Sequence, residues 1–387
     1  MVNPAVVIPA FKREKSLGRL LHSVNQAYYP ESVQLVISLD FGATEDVKKT
    51  AQNFDFKHGS VQIIEQTKKL GLKDHIMVCA DFSLQYGSVI ILEEDLIVSP
   101  GYYNYAKKAL DYYDNENSVA GISLYSQRFN ETAQLPFEPL KTECSAYFMK
   151  LVCSWGQAWS SKQWKEFKDW YSDIQSTTIL NTIELPENVK DWSKNSWKKY
   201  FNAYLIKKDK YVVYPYNSYS THCGDEEGEH IRKLGNLFQV PLSGIISNSQ
   251  FVQFPNFTNH LIKYDMHMES SGDFVGSLLG LENENIEVDL YGTKSINQLL
   301  ESDYILSSKK INSPIQSFPL QFKPLELNMK FESYDTESQF FYLYKTNDLN
   351  EVNFKKPNHL RLAQYFSYQN ILSGKILRSF FQYMMGK

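Results

Sequence analysis

Three carboxylates stand side by side at Glu93-Glu94-Asp95, directly after the apolar run Ser88-Val89-Ile90-Ile91-Leu92. Adjacent negative charges at the end of a buried strand repel one another unless a cation or a cationic ligand shares the site. Carboxylate oxygens are hard donors that suit Mg2+ or Mn2+, and such ions complete their shell with substrate phosphates rather than with an all-protein cage. The bland alternative is a solvated acidic turn ahead of Pro100-Gly101. Two more polar residues follow short apolar runs upstream, Arg13 after Ala5-Val6-Val7-Ile8-Pro9 and Asp40 after Leu35-Val36-Ile37-Ser38-Leu39. A guanidinium engages phosphate oxygens bidentately, which a lysine cannot do.

The elements that must position these groups alternate. Ala5 to Ile8 is expected as a strand, and Ser16 to Ala27 as a helix with Leu17, Leu20, Leu21 and Val24 on one face. Leu35 to Leu39 is the second strand, and Thr44 caps a helix whose first turn holds Glu45 and Asp46. Val61 to Ile64 is the third strand, and Lys73 to Leu84 the helix before the fourth strand at Ser88. This order implies an α/β fold with a mostly parallel, Rossmann-like sheet flanked by helices. Ligands of such sheets collect at the carboxyl ends of the strands. Pro9 to Arg13, Asp40 and Glu93 to Asp95 are therefore expected on one crevice.

Composition narrows the partners. The 387 residues allow one large domain with additions, or two domains. A net charge of −4 gives no reason to expect nucleic acid. Met1-Val2-Asn3-Pro4 runs straight into a strand, leaving no room for a secretory signal, and no window supplies the ~18 apolar residues of a spanning helix. Cys79, Cys144, Cys153 and Cys223 show no zinc spacing and fit reduced thiols, so the expected location is the cytoplasm.

With these residues in view, a family resemblance is plain. Val6-Val7-Ile8-Pro9-Ala10-Phe11-Lys12-Arg13 resembles the opening strand of nucleotide-sugar glycosyltransferases of the GT-A fold. Val36-Ile37-Ser38-Leu39-Asp40-Phe41-Gly42-Ala43-Thr44-Glu45 is similar to the second-strand segment of the N-acetylglucosaminyltransferase I group, and Glu93 to Tyr103 to its acidic metal motif. Ser154-Trp155-Gly156-Gln157-Ala158-Trp159 resembles the glycine-containing loop ahead of the acceptor side, so the likeness covers roughly the first 170 residues. The resemblance implies that Asp95 ligates Mn2+ or Mg2+ and that Glu93 and Glu94 meet the donor sugar and ribose. It places Arg13 near the nucleotide phosphates, Pro9 at the nucleotide sugar, Asp40 on a uracil ring and His75 on the nucleotide. Bland readings stand beside these: a strand-end turn for Asp40, a solvated cation for Arg13, a helix-surface residue for His75.

Beyond residue 125 the chain is read as the acceptor side. Arg128 to Glu143 is expected as a mobile loop over the site. Trp164 and Trp170 follow core spacing, whereas Trp155 and Trp159 flank Gly156 and are candidates for stacking on a sugar face. In the resembling group the general base is an aspartate in a tryptophan-rich segment. Lys190-Asp191-Trp192-Ser193-Lys194-Asn195-Ser196-Trp197-Lys198 is the nearest match, with Lys198 where an acid is expected. Asp191 is the first choice for the base, its pKa raised by the tryptophans. Tyr214 to His230 resembles an asparagine, glycine and histidine segment of bacterial members of the fold. There His230 is a second metal candidate and Asp225, Glu226 or Glu227 an alternative base. His222 and Cys223, adjacent on a strand, do not make a zinc pair.

Residues 1–235 are thus expected as the transferase domain (nucleotide half 1–125, acceptor half 126–235), and 236–387 as a mixed C-terminal extension. Leu360 to Met385 is apolar and aromatic on one side and basic on the other, which suits either a membrane interface or a packed terminal helix. The favoured reading is a metal-dependent glycosyltransferase. It moves a sugar with inversion from a nucleotide-sugar donor, UDP-linked, to a glycan or lipid-linked glycan at the inner face of a membrane. The alternative is a non-catalytic carbohydrate-binding or glycan-assembly protein of the same fold. A nucleotidyltransferase is disfavoured, since no Gly-rich phosphate loop with a basic residue follows the first strand.

Overall fold

The computed structural model describes residues 2–174, 179–224, 237–244, 252–331, 339–352 and 360. Its packing divides into two compact units, Met1–Arg128 with Pro139–Met268, and Phe129–Glu138 with Glu269–Lys387. The first unit opens with β1 (Ala5–Ala10), α1 (Glu14–Asn25), β2 (Val33–Leu39), α2 (Glu45–Gln52), β3 (Gly59–Glu65), α3 (Gly71–Tyr86) and β4 (Ser88–Ile91). β5 (Leu96–Val98), α4 (Tyr102–Tyr112) and β6 (Val119–Ser123) follow. The chain then makes the hairpin β7 (Phe129–Asn130) and β8 (Leu135–Pro136), which belongs to the second unit. β9 (Ala146–Met149), β10 (Gln157–Ser160), α5 (Ser161–Asp173), α6 (Glu187–Lys190), α7 (Trp197–Lys207), β11 (Tyr211–Pro215), β12 (Ser220–His222) and β13 (Lys263–Tyr264) complete the first unit.

Its sheet has nine strands in the order β13-β9-β11-β6-β10-β4-β1-β2-β3. β4, β1, β2 and β3 are parallel, as the alternation of strands and helices requires; β10 runs antiparallel to both β4 and β6. β1 and β4 are buried along their whole length, which explains why they read as continuous apolar runs rather than alternating ones. α1 buries Leu17, Leu20, Leu21 and Val24 against this sheet, the face that their spacing foretold. A separate two-stranded ribbon pairs β5 with β12, Thr221 opposite Ile97 and His222 opposite Leu96.

The second unit holds α8 (Gly272–Leu279), β14 (Ile286–Asp289), α9 (Ile296–Leu299), β15 (Tyr304–Ser307), β16 (Gln316–Phe318), α10 (Leu327–Lys330) and β17 (Phe341–Lys345). Its mixed sheet runs β14-β15-β17-β16, with β14 and β15 parallel and the other neighbours antiparallel. The stretch expected as a mobile loop between Arg128 and Glu143 instead contains the β7–β8 hairpin, held by Phe129 opposite Pro136 and Asn130 opposite Leu135. The division of role at residue 235 is not the division of packing, because β13 adds a parallel strand beside β9 in the first sheet. Apart from Leu360, the basic terminal segment lies outside the described residues. No described helix is long and apolar enough to cross a membrane.

Candidate active site

β1, β2 and β4 end at one edge of the sheet, and the charged residues that follow them meet there. After β4 the chain stays on β1 through Leu92, whose N–H donates to the Val7 carbonyl at 3.0 Å, and then turns through Glu93-Glu94-Asp95 into β5. Arg13 occupies the N-cap of α1, beyond β1. Its Nε donates to Glu94 Oε1 at 2.9 Å and its Nη1 to Asp95 Oδ2 at 2.7 Å, so one guanidinium bridges two of the three acids. Burial works against the Arg13 charge, but Glu94 and Asp95 outweigh it and raise its pKa further. The solvated-cation reading of Arg13 is thereby excluded.

The three acids are unequal. Burial, with repulsion from Asp95 and Glu94, pushes the Glu93 carboxyl well above the usual range, against the opposing pull of Lys198 and Arg13. Glu94 is also raised, by burial first and by Asp95, although Arg13 opposes this. Burial works to raise Asp95 too, but the His222 hydrogen bond and Arg13 hold it below the usual value. Glu93 Oε1 and Asp95 Oδ1 are buried with no hydrogen-bond partner. Lys198, on α7 and 4.9 Å from the Trp192 ring centroid, thus puts a positive charge beside Glu93 where the resembling group led us to expect an acid.

His222 is the residue that sequence reasoning missed. The β5–β12 ribbon carries it to the acids. Its Nε2 lies 3.2 Å from Asp95 Oδ2, Cys223 N–H donates to the Asp95 carbonyl at 3.0 Å, and Gly224 N–H donates to His222 Nδ1 at 2.9 Å. Gly224 has φ +68°, a turn that glycine makes without strain. With Nδ1 accepting, a neutral imidazole carries its proton on Nε2 and donates it to Asp95. A histidine closing a short strand just before a glycine was the available signal, but the pairing of β12 with β5 spans more than a hundred residues.

Asp40 ends β2 on the same edge, its own N–H donating to the Ala10 carbonyl at 3.0 Å. Its Oδ1 accepts from Phe41 N–H at 2.8 Å and Leu70 N–H at 2.9 Å, and its Oδ2 from Gly71 N–H at 3.0 Å. Burial favours a raised Asp40 pKa, yet these three N–H groups and nearby His75 bring it below the usual value. Asp40 therefore does anchor the start of α3, as its turn reading held, with one lone pair left on Oδ2. Phe41 and Leu72 beside it are exposed. His75 is buried rather than on the helix surface; its Nε2 lies 2.8 Å from Ser38 Oγ and burial lowers its pKa. Pro9 is buried within β1, opposite Ser38.

Other expected residues fare differently. Asp191 caps α6 and is exposed, so the neighbouring tryptophans do not enclose it: Trp192 faces Lys198, and Trp197 is buried against Trp159. Glu226 and His230 lie outside the described residues. Trp159 is not available to a sugar. It points from β10 into an aromatic core with Trp164, Trp197 and Phe201, and a Cβ on Gly121 of β6 would meet its Nε1 at 2.6 Å. Trp155 is partly exposed, with its ring centroid 5.6 Å from that of His222 and 5.0 Å from that of Phe238.

Among the described residues no three His, Cys, Asp or Glu side chains form a ready-made metal cage. The donors present nonetheless fit a divalent ion that takes phosphate oxygens for much of its shell, since Asp95 Oδ1 is unpartnered and His222 Nε2 stands at the same carboxylate. Ligation through Nε2 requires the other imidazole tautomer, at the cost of the Gly224 hydrogen bond.

Comparison with known proteins bears on this edge of the molecule. Residues 5–169 match the family model described as glycosyl transferase family 2. No curated protein matches the sequence. Among solved structures, TarS of S. aureus (residues 1–349, with UDP-GlcNAc) is similar at 16% identity and a TM-score of 0.38, over 60% of this chain and 61% of that one. The mannosyltransferase PcManGT of Pyrobaculum calidifontis, with GDP-Man and Mn2+, is similar at 12% identity and a TM-score of 0.38, over 59% of each chain. GalNAc-T7, with UDP, GalNAc and Mn2+, is similar at 14% identity and a TM-score of 0.39, over 57% of this chain and 43% of that one. The chain spans less than two thirds of the length of these structures, and likenesses at this level assign no donor, metal or acceptor. Residues 5–169 are thus similar to glycosyl transferase family 2, which agrees with the resemblance read from the motifs of the first 170 residues.

Proposed function

We propose that this protein is a metal-dependent glycosyltransferase that moves a sugar from a UDP-linked donor to a glycan acceptor with inversion. The observation that carries the reading is the cluster of Arg13, Glu94, Asp95 and His222, with Asp95 Oδ1 unpartnered, on the same sheet edge as Asp40. A divalent cation held by Asp95 and His222 would supply charge stabilisation to the departing diphosphate. Arg13 and Lys198 add fixed positive charge where negative charge develops as the glycosidic bond breaks. The sugar passes through an oxocarbenium-like state, for which Glu93 and Glu94 act by orienting hydroxyl groups. His75, packed behind Ser38, positions the end of β2.

The hydrogen bonds of Asp40 favour uracil over guanine. Three of its roughly four lone-pair positions are taken by backbone N–H groups, leaving one for the single N3–H of uracil rather than the paired donors of guanine. Phe41 and Leu72 offer exposed apolar surface for the base. For the acceptor base, the exposure of Asp191 shifts preference to Glu226, four residues beyond His222, with His230 a further metal candidate. The basic terminal segment suits a lipid-linked acceptor at a membrane surface.

A panel of UDP-, GDP- and dTDP-sugars with Mn2+, followed by release of nucleoside diphosphate, tests the reading. UDP-sugars are expected to turn over and GDP-sugars not to; a GDP preference contradicts the Asp40 argument. The second reading, a carbohydrate-binding protein without turnover, draws on the Arg13 contact that already occupies Asp95. It requires glycan binding with no diphosphate release from any donor.

A further inference from the structure

Trp155 is partly exposed on the edge that carries the acids, and no step of donor binding uses it. Its place follows from register. β10 runs antiparallel to β4, so its first residue, Gln157, opposes Ile91 at the carboxyl end of the parallel strands, and Trp155 comes beside the turn that starts at Glu93. The indole centroid accordingly lies 5.6 Å from that of His222, whose Nε2 is 3.2 Å from Asp95 Oδ2. The loop that carries it is fixed. Ser220 Oγ donates to the Trp155 carbonyl, and Leu124 N–H donates to the Gly156 carbonyl at 2.9 Å. Gly156 has φ +92°, and a Cβ there would meet Ser220 Oγ at 3.0 Å and Leu124 Cβ at 3.1 Å. Phe238, also partly exposed, has its ring centroid 5.0 Å from the indole. Three hydrogen bonds hold its segment there: Tyr125 Oη to the Phe238 carbonyl at 2.9 Å, Gln239 Nε2 to the Cys223 carbonyl at 3.0 Å, and Val240 N–H to Thr221 Oγ1 at 3.0 Å.

Strand order gives the edge a scale. The succession β2, β1, β4, β10 sets Asp40, Arg13, Asp95 and Trp155 one after another, at roughly 4.8 Å per strand. A base at Asp40 and a diphosphate at Asp95 take up the first two steps, and the third leads past the departing diphosphate to the side from which an acceptor approaches the sugar. We propose that Trp155 and Phe238 form an acceptor subsite for a pyranose, the apolar C–H face of its ring lying on the two aromatic side chains. The proposal rests on the transferase reading for its role in catalysis. A pyranose with mostly equatorial hydroxyls turns axial C–H groups to one face, and these meet the negative face of an aromatic ring; an open-chain polyol has no such face. The indole N–H, which has no acceptor among the described residues, is left to donate to a sugar oxygen.

Saturation-transfer NMR of the full chain tests the contact without turnover. The probes are methyl β-glucopyranoside, methyl β-galactopyranoside, methyl α-mannopyranoside and ribitol, at equal concentration with UDP and Mn2+. At least one pyranoside is expected to take up saturation at the ring C–H protons of one face, and ribitol to take up none. Trp155→Ala should lower that signal at least fivefold and Phe238→Ala at least twofold, whereas Trp155→Phe should keep more than half of it. Thermal melting controls for folding, and calorimetry of UDP in Mn2+ separates the subsite from support of His222: the UDP affinity of Trp155→Ala should fall by less than the pyranoside signal does. The proposal is overturned if no pyranoside takes up saturation, if ribitol takes up as much, or if the folded Trp155→Ala and Phe238→Ala variants keep the wild-type signal. A loss of UDP affinity in Trp155→Ala as large as the loss of signal also overturns it, since the indole then acts through His222. If the wild type hydrolyses no donor yet the pyranoside signal depends on Trp155, the subsite stands and the transferase reading falls.

Discussion

Asp95, beyond β4 in the first unit, and Asp289, at the end of β14 in the second, both follow parallel strands. Both are buried, but their surroundings differ in kind. Asp289 Oδ1 accepts from Thr293 N–H at 2.7 Å and Lys294 N–H at 2.9 Å, its Oδ2 accepts from Ser307 Oγ at 3.1 Å, and Lys309 Nζ stands 4.0 Å away. Both oxygens of that carboxylate are engaged, Oδ1 by the loop after β14 and Oδ2 by Ser307 of β15. Asp95 has one oxygen shared by Arg13 and His222, the other without a partner, and two more carboxylates as neighbours in sequence. An acid whose oxygens are all engaged within the protein has a structural job, whereas one left beside like charges with an oxygen that no donor meets has interaction energy still to gain from a ligand.

Substituting each acid in turn separates the two roles. The largest effect is expected for Asp95→Asn, which should lower donor turnover at least a hundredfold while the melting temperature stays near that of wild type, as read by diphosphate release and thermal melting. Asp289→Ala should do the reverse. Stranding these three donors costs about 2–4 kcal/mol of stability in denaturant unfolding, with turnover per folded molecule unchanged. Arg13→Lys removes the bidentate geometry but keeps the charge, so the KM for donor should rise about tenfold, roughly 1.4 kcal/mol.

The remaining effect is a matter of pH. The folded-state pKa of Glu93 is raised by burial and by Asp95 and Glu94. Its contribution to stability is therefore fully present below the ordinary carboxylate pKa and is lost as pH rises through the higher folded value. Glu93→Gln keeps the neutral form at every pH. It should melt like wild type near pH 4 and outlast it by about 1–3 kcal/mol at pH 8, measured as a series of melting curves.

What the chain revealed in advance follows from range. β1, α1, β2, α2, β3, α3 and β4 are local patterns of apolar spacing, and the carboxyl-end rule brought Arg13, Asp40 and Asp95 to one edge, where the structure has them. His222 was out of reach because its place depends on β12 pairing with β5 across the chain. Trp159 was misread for a related reason. Gly156 marks a turn, yet Gln157–Ser160 is the strand β10 that joins β4 to β6, and only that pairing shows Gly121 making room for the indole. Asp191 had the right neighbours in sequence and the wrong exposure, since Trp192 faces Lys198 and Trp197 turns inward.

If Asp95 with His222 makes this edge a metal-dependent diphosphate site, the affinity of UDP measured by calorimetry must differ between Mn2+ and chelator. Wild type should bind at least tenfold more tightly in Mn2+, and Asp95→Asn and His222→Ala should each lose that difference. Equal affinity in metal and chelator, or a metal effect undiminished in Asp95→Asn, would contradict it.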